Sequence, residues 1–370
     1  MTLLEPDAAA HAPGDGRRLA QQVGPARERG SLRPSLSRAA SRLPGVALCL
    51  AAAALSWVTG QLVPGLSPMI VAIVLGVVVT NATRLPPSLS PGIDFSAKVL
   101  LRVGIVFLGL QLVLADILGL GAPMLLVVLC VVGGGILGTV ALGRWLRVPR
   151  GLALLIACGF SICGAAAVAG AASVTDPDDD AEDQTVTAVA LVVIFGTAMI
   201  ALLPLASHLL ALGAVTAGTW AGASVHEIAQ VVAVGGILGP DALAAAVVVK
   251  LARVLLLAPV VAALGVRQRR VTCARGAGAV PARRRPPLVP PFVVGFLALV
   301  LLRALVTLPA WTLTTGRLLQ TVMLSAAMFA LGCGVKVQEL RKVGARPFVL
   351  AALATLLVTT IAGVGVTLVS

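Results

Sequence analysis

The stretch from Ala221 to Gly235 reads AGASVHEIAQVVAVG and sets a histidine, a carboxylate and an amide among small apolar residues. His226, Glu227 and Gln230 are groups that can carry a proton, hold an ion or hydrogen-bond a solute. An ionisable residue at membrane depth is costly to bury and marks a functional site. Glu227 is the one carboxylate that falls well within any of the apolar spans assigned below. Ser224 followed three residues later by Glu227 spells a capping box, which would start a new half-helix at mid-membrane. The N-terminus of such a half-helix carries partial positive charge and free N–H groups, a site suited to an anion. In the next span Lys250 and Arg253, spaced i, i+3, share one helix face. Two cations against one carboxylate leave a net positive buried region that attracts an anionic substrate. The structural alternative is a pair of Glu227 with Lys250 or Arg253 that only locks two spans together.

A second stretch, GLALLIACGFSICGAAAVAGAASV, places Gly159, Ser161 and Gly164 near the middle of a span, among the least helix-favouring residues. Such a break is tolerated in lipid where neighbours or a cavity satisfy the freed backbone groups. Its text Gly159-Phe-Ser161-Ile matches Gly222-Ala-Ser224-Val. The plainer reading of these residues is a small-residue packing seam. The functional reading gives a substrate site of Ser161, Gly164, Ser224, His226, Gln230, Lys250 and Arg253, with Glu227 or His226 coupling transport to an ion.

Enzyme readings fare worse. His226-Glu227-x-x-Gln230 resembles a zinc-protease helix, but that chemistry needs histidine at both i and i+4. With only three histidines (His11, His208, His226), a metal site is not expected. No phosphate-binding glycine loop occurs, so no nucleotide cofactor is implied. The acidic run DPDDDAEDQ from Asp176 lacks the glycine and distal glutamate of a calcium loop. Six scattered cysteines have no zinc spacing and imply no disulfide framework.

The elements that position these residues follow from composition. The chain has 370 residues, 58% hydrophobic and 12% charged, with a mean hydropathy of +1.03. Lipid is the natural solvent for such a chain. The net charge of +13 resides in a tail and in loops rather than on one face, so a topogenic role is expected and nucleic acid is not. Residues 1–43, rich in Ala, Arg, Pro and Ser, read as a disordered basic cytoplasmic tail. Residues 44–370 read as one transmembrane domain. Eleven apolar stretches of about the spanning length follow, near 44–61, 67–82, 96–113, 122–143, 151–174, 185–206, 217–238, 242–264, 288–308, 317–335 and 346–369. Counting eleven crossings with the N-terminus inside puts Arg84, Lys98, Arg144, Arg147, Arg150, the cluster from Arg267 to Arg285 and Lys336 to Arg346 on the inner side. That count puts the acidic run outside and leaves the inner loop at 207–216 with only His208. It also makes spans five and seven parallel.

Sliding the chain by 223 residues lines up Pro68 with Pro291, Leu85–Pro86 with Leu308–Pro309, Leu108–Gly109 with Leu331–Gly332, and Gly121–Ala122 with Gly344–Ala345. The repeat copies span about 67–145 and 290–368, with central helices at 150–264 between them. Seven spans separate the copies, so the second is upside down. Inverted repeats with interrupted helices are the mark of secondary transporters. The expected fold is therefore an all-α polytopic membrane protein of about eleven transmembrane helices.

The segments ACGFSICGAAAVAGAASV, TVTAVALVVIFGTAMIALLPL, WAGASVHEIAQVVAVG and VVVKLARVLLLAPVV resemble the YeiH family, bacterial inner-membrane proteins labelled as sulfate exporters. The resemblance covers roughly residues 45 to 370. It implies a secondary anion transporter in the plasma membrane, related in architecture to inverted-repeat cation/proton antiporters and bile-acid symporters. The family's motifs fall on Cys158 to Gly164, Gly222 to Glu227 and Lys250 to Arg253. Phe160 stands where the family commonly has a small polar residue. The expected function is export of a small anion such as sulfate or an organosulfonate. The alternatives are a proton or sodium antiporter using Glu227, a passive channel, or a non-transporting membrane protein. The partners expected are the substrate anion and the lipid bilayer, with homo-oligomerisation left open.

Overall fold

The computed structural model describes residues 33–63, 67–176, 181–274, 290–336, 338 and 344–369, all helical or in short connections, with no strand among them. The tail before Arg33 and the loop at 275–289 lie outside the described residues. So do the arginines that the sequence places there. Six helices are long and apolar enough to cross a bilayer on their own. Among the described residues each of the eleven apolar stretches is largely helical, two of them with a central break, and the protein is an all-α polytopic membrane protein.

The helices run α1 (Arg33–Leu62), α2 (Pro68–Ala82), α3 (Ser90–Phe95), α4 (Leu101–Leu108), α5 (Leu114–Gly119) and α6 (Gly121–Trp145). A π-helical turn at Ser96–Leu100 joins α3 to α4 in one bent segment. Next come α7 (Arg150–Ser161), α8 (Ala165–Thr175), α9 (Glu182–Leu209), α10 (Ala214–Ser224) and α11 (Ile228–Leu238). The chain closes with α12 (Pro240–Leu255), α13 (Leu257–Ala274), α14 (Pro291–Leu305), α15 (Ala310–Gly334) and α16 (Ala345–Val369). The first helix begins at Arg33, ahead of the apolar run at 44.

The 223-residue offset has a structural counterpart. Pro68 opens α2 and Pro291 opens α14, and both helices have 15 residues. Proline fits there because its missing N–H would be unpaired at a first turn in any case. Gly121 and Gly344 both take a left-handed backbone, φ 79° and 83°, at the start of α6 and just ahead of α16. These two 25-residue helices pack antiparallel, Gly134 against Ile361 and Gly138 against Leu357.

Segments five and seven do not run through. The α7 helix has 12 residues and α8 has 11, so each reaches roughly 16–18 Å, about half a bilayer. Arg150, which opens α7, and Thr175, which closes α8, line the same cavity with Gln268 of α13. The Gln268 side chain donates to the Thr175 carbonyl at 3.4 Å. Gly151 meets the side chain of Gln184, at the start of α9. Both ends of segment five therefore lie on one side, with its tip at Ile162–Gly164 inside the bundle. Segment seven mirrors this from the other side. Gly218 of α10 packs on the Ala242 backbone and Gly222 on Ala246, so α10 and α12 run parallel. Gly235 of α11 packs on Leu243. Thus α10 and α11 lie side by side at the depth where α12 begins.

These two re-entrant hairpins correct the parallel reading of segments five and seven. They enter from opposite sides, and their tips correspond at an offset of 63 residues, Ser161 with Ser224 and Gly164 with Glu227. They also move the loops. Glu182 and Asp183 share a cavity with Arg84 and Lys336, on the basic side, and Glu182 pairs with Lys98 at 4.0 Å. Residues 210–216 lie beside Gly363 to Thr367, on the opposite side. The acidic run was placed outside because each hairpin was counted as a crossing. Its residues 177–180 lie outside the described ones.

The helices form two groups that pack densely within and sparsely between. One holds α1 to α4, α14 and α15; the other holds α6 to α13 and α16. The hairpin tips face the boundary between them.

Candidate functional site

The hairpin tips are where the backbone leaves its helical ladder. In the first gap Gly164 takes φ 76° and ψ −135°, a conformation that excludes a side chain. In the second, Val225 and Glu227 are extended. Each break frees carbonyls at the end of one helix and N–H groups at the start of the next. In the middle of a membrane no water is at hand to satisfy them.

Two cations from α12 satisfy the carbonyls. Lys250 Nζ donates to Ile162 O at 2.7 Å, to Val225 O at 2.9 Å and to His226 O. Arg253 donates from Nε to Ser161 O at 3.1 Å and from Nη2 to Phe160 O at 3.0 Å. Its Nη1 donates to Gly222 O at 3.1 Å and Val225 O at 2.9 Å. Both side chains are 0% exposed. They sit at the negative ends of α7 and α10 and tie one tip to the other.

One carboxylate serves the opposite ends. Glu227 is the N-cap of α11 and forms a capping box with Gln230, whose Oε1 accepts from the Glu227 N–H at 3.1 Å. Glu227 Oε1 also accepts from the Ala165 N–H at 3.0 Å, at the first residue of α8. A single anion therefore lies against the positive ends of two half-helices. Among the described residues Glu227 is the only buried carboxylate, and no ion pair joins it to Lys250 or Arg253. It opens into a cavity of about 40 Å³ at the boundary between the helix groups, lined also by Cys163, Met69, Leu108 and Met328.

The structure places Ser161, Gly164, Ser224, His226, Glu227, Gln230, Lys250 and Arg253 together at the two hairpin tips. The half-helix starts at Ile228, with Glu227 as its cap, three residues after the expected cap. Ser224 instead ends α10 and donates to the Trp220 carbonyl at 2.6 Å. Lys250 and Arg253 direct their donors at the tip carbonyls, which are neutral, so their positive charge is not offset by an ion pair among the described residues. The Ser161 Oγ is buried without a partner. Gly164 leaves room for the Glu227 side chain, which a Cβ there would strike. The His226 Nε2 lies 3.1 Å from Thr355 Oγ1, while its Nδ1 has no partner. Phe160 packs against the His226 ring in a tilted contact, with centroids 4.4 Å apart and the planes inclined at 48°. Thr355 and the Ala165 amide escaped the sequence reading, because a lone threonine in a span and a backbone N–H carry no pattern.

A fold of opposed re-entrant hairpins, with charged groups seated on their broken ends, defines a multi-pass membrane protein built around a buried polar centre. The sequence pattern of a family described as Conserved hypothetical protein 698 matches residues 44–351. A UPF0324 membrane protein of Corynebacterium glutamicum is 56% identical over 87% of this chain and 91% of its own. A second, of Bacteroides thetaiotaomicron, is 37% identical over 78% of this chain and 85% of its own. A third, of Pseudomonas putida, is 38% identical over 76% and 79%. The chain belongs to this UPF0324 family of bacterial membrane proteins, in agreement with the YeiH resemblance. No solved structure matches it.

Proposed function

We propose that the protein is a secondary active transporter of a small anion in the bacterial plasma membrane, with its N-terminus cytoplasmic. The observation that carries this reading is the double seat of Glu227 on the N-termini of α8 and α11. Backbone N–H groups at helix starts bind anions, and here the protein's own carboxylate occupies them. A transported anion competes with Glu227 for that seat, and protonation of Glu227 vacates it. Sulfate or an organosulfonate is the substrate class that the family resemblance suggests.

Access fits the same reading. A crevice of about 620 Å³ opens on the basic side between the two helix groups, lined by Arg84, Glu182 and Lys336. The Glu227 cavity lies on that boundary. Movement of the hairpin group against the other exposes the seat to one side and then the other. The positive-inside rule makes the basic side cytoplasmic. The chemistry is movement of a solute, with no catalysis and no cofactor.

Flux of sulfate and organosulfonates into liposomes holding purified protein tests the proposal. Glu227→Gln and Lys250→Ala should each abolish saturable flux; wild-type flux in both overturns the assigned roles. A second reading, a proton/cation antiporter with Glu227 as carrier, draws support from the carbonyl-bound donors of Lys250 and Arg253. A pH-sensitive dye that responds to added sodium without any anion gradient favours that reading.

A further inference from the structure

We infer that the cavity on the basic side between α6, α7, α8 and α13 is a binding site for a phosphate-bearing anion, supplied by the headgroup of an anionic lipid. Its volume is about 360 Å³. Arg144 lies in the last turn of α6, Arg150 opens α7 and Arg267 lies in the last turns of α13, and all three line it. Among the described residues no carboxylate lines the cavity. Asp176, next to it in the chain, turns its Oδ2 to the Ala181 N–H at 2.8 Å. Among the described residues, none of the three guanidiniums has a hydrogen-bond or ion-pair partner. Three like charges around one concavity repel each other unless an anion joins them. The planar guanidinium fork matches phosphate oxygens, and basic pockets between helices at the cytoplasmic surface suit lipid headgroups.

Depth and lining favour a lipid over a free phosphate. The cavity lies at helix ends, the level of headgroups, and beneath the arginines its wall is apolar, with Val140, Leu154 and Leu264. Trp145, adjacent to Arg144, is 75% exposed, as an indole at the membrane interface would be. The site joins both ends of the first hairpin to α6 and α13. It is separate from the hairpin tips, so this inference stands whether or not an anion is transported.

Lipid retention by purified, delipidated protein, measured by native mass spectrometry with phosphatidylglycerol and phosphatidylcholine, tests it. Wild type should hold phosphatidylglycerol roughly tenfold better than phosphatidylcholine. The triple variant R144Q/R150Q/R267Q should lose that preference. A charge-matched control on the same side, R84Q/R270Q/R346Q, should keep it. Equal loss in the control, or none in the test variant, overturns the site. Displacement by inorganic phosphate, with no preference between the two lipids, overturns the lipid assignment in favour of a soluble phosphate. Should the triple variant fail to fold, R144Q and R267Q singly should each lower retention about threefold; no change in either overturns the site.

Discussion

Ala165 and Glu227 lie 62 positions apart, yet the Ala165 amide donates to Glu227 Oε1 at 3.0 Å. The donor opens the second arm of one hairpin, and the acceptor caps the second arm of the other. Two breaks that would each strand polar backbone in lipid thus meet at one carboxylate. The same economy appears on the carbonyl side, where Lys250 and Arg253 each bridge both tips.

Glu227→Gln tests what the carboxylate charge does. The amide keeps an acceptor for the Ala165 N–H, so the fold should survive with little loss of thermal stability. If a proton must reach Glu227 before an external anion takes its place, anion binding by wild type strengthens as pH falls. The Gln variant should bind with no such dependence. Titration of anion affinity across pH checks this; an unchanged pH slope in the variant removes Glu227 from the coupling.

Lys250→Met keeps most of the side chain's length but removes three donors. The Ile162 and His226 carbonyls lose their partner where no water replaces it, at about 1–3 kcal/mol for each group left unsatisfied, while Val225 O keeps Arg253. The protein should unfold at markedly lower temperature in detergent, on the scale of breaking a buried pair, about 3 kcal/mol or more. A melting temperature within a degree or so of wild type would remove the tie between the tips.

Gly164→Ala should be severe. Its backbone, φ 76° and ψ −135°, strains any side chain, and a Cβ would strike the Glu227 side chain. Gly133→Ala on α6 is the control, since nothing lies within 4 Å of a Cβ there. That change should be neutral or stabilise by up to about 1 kcal/mol, the helix preference for alanine. Paired melting curves decide it.

Single cysteines at Arg150, Asp183 and Asp241 test the hairpins. Membrane-impermeant thiol reagents should label positions 150 and 183 from one side and 241 from the other. Opposite labelling of 150 and 183 would make segment five a full crossing and undo the re-entrant fold.

Much of this was legible in the chain. Apolar length located all eleven segments, because each must match a bilayer or half of one. Gly159, Ser161 and Gly164 marked one break, and the polar knot at His226, Glu227 and Gln230 marked the other. What escaped was direction. A break in an apolar run reads the same whether the chain continues or turns back; only packing partners, such as Gln268 on Thr175, separate the two. The loop charges held a clue in two places at once. An acidic loop outside and an inner loop at 207–216 lacking lysine or arginine both change sides when the two segments fold back. The cap was misplaced for a local reason. Ser224 bonds its own preceding turn, at Trp220, so the free N–H groups begin later, beyond Glu227.

The bridging of Ile162 and Val225 by one Lys250 ammonium carries a mechanical consequence. Here neither hairpin can swing alone without tearing its neighbour's tip from a shared cation. The two tips are therefore held as one mechanical unit, so displacing either hairpin alone would cost the other its cation.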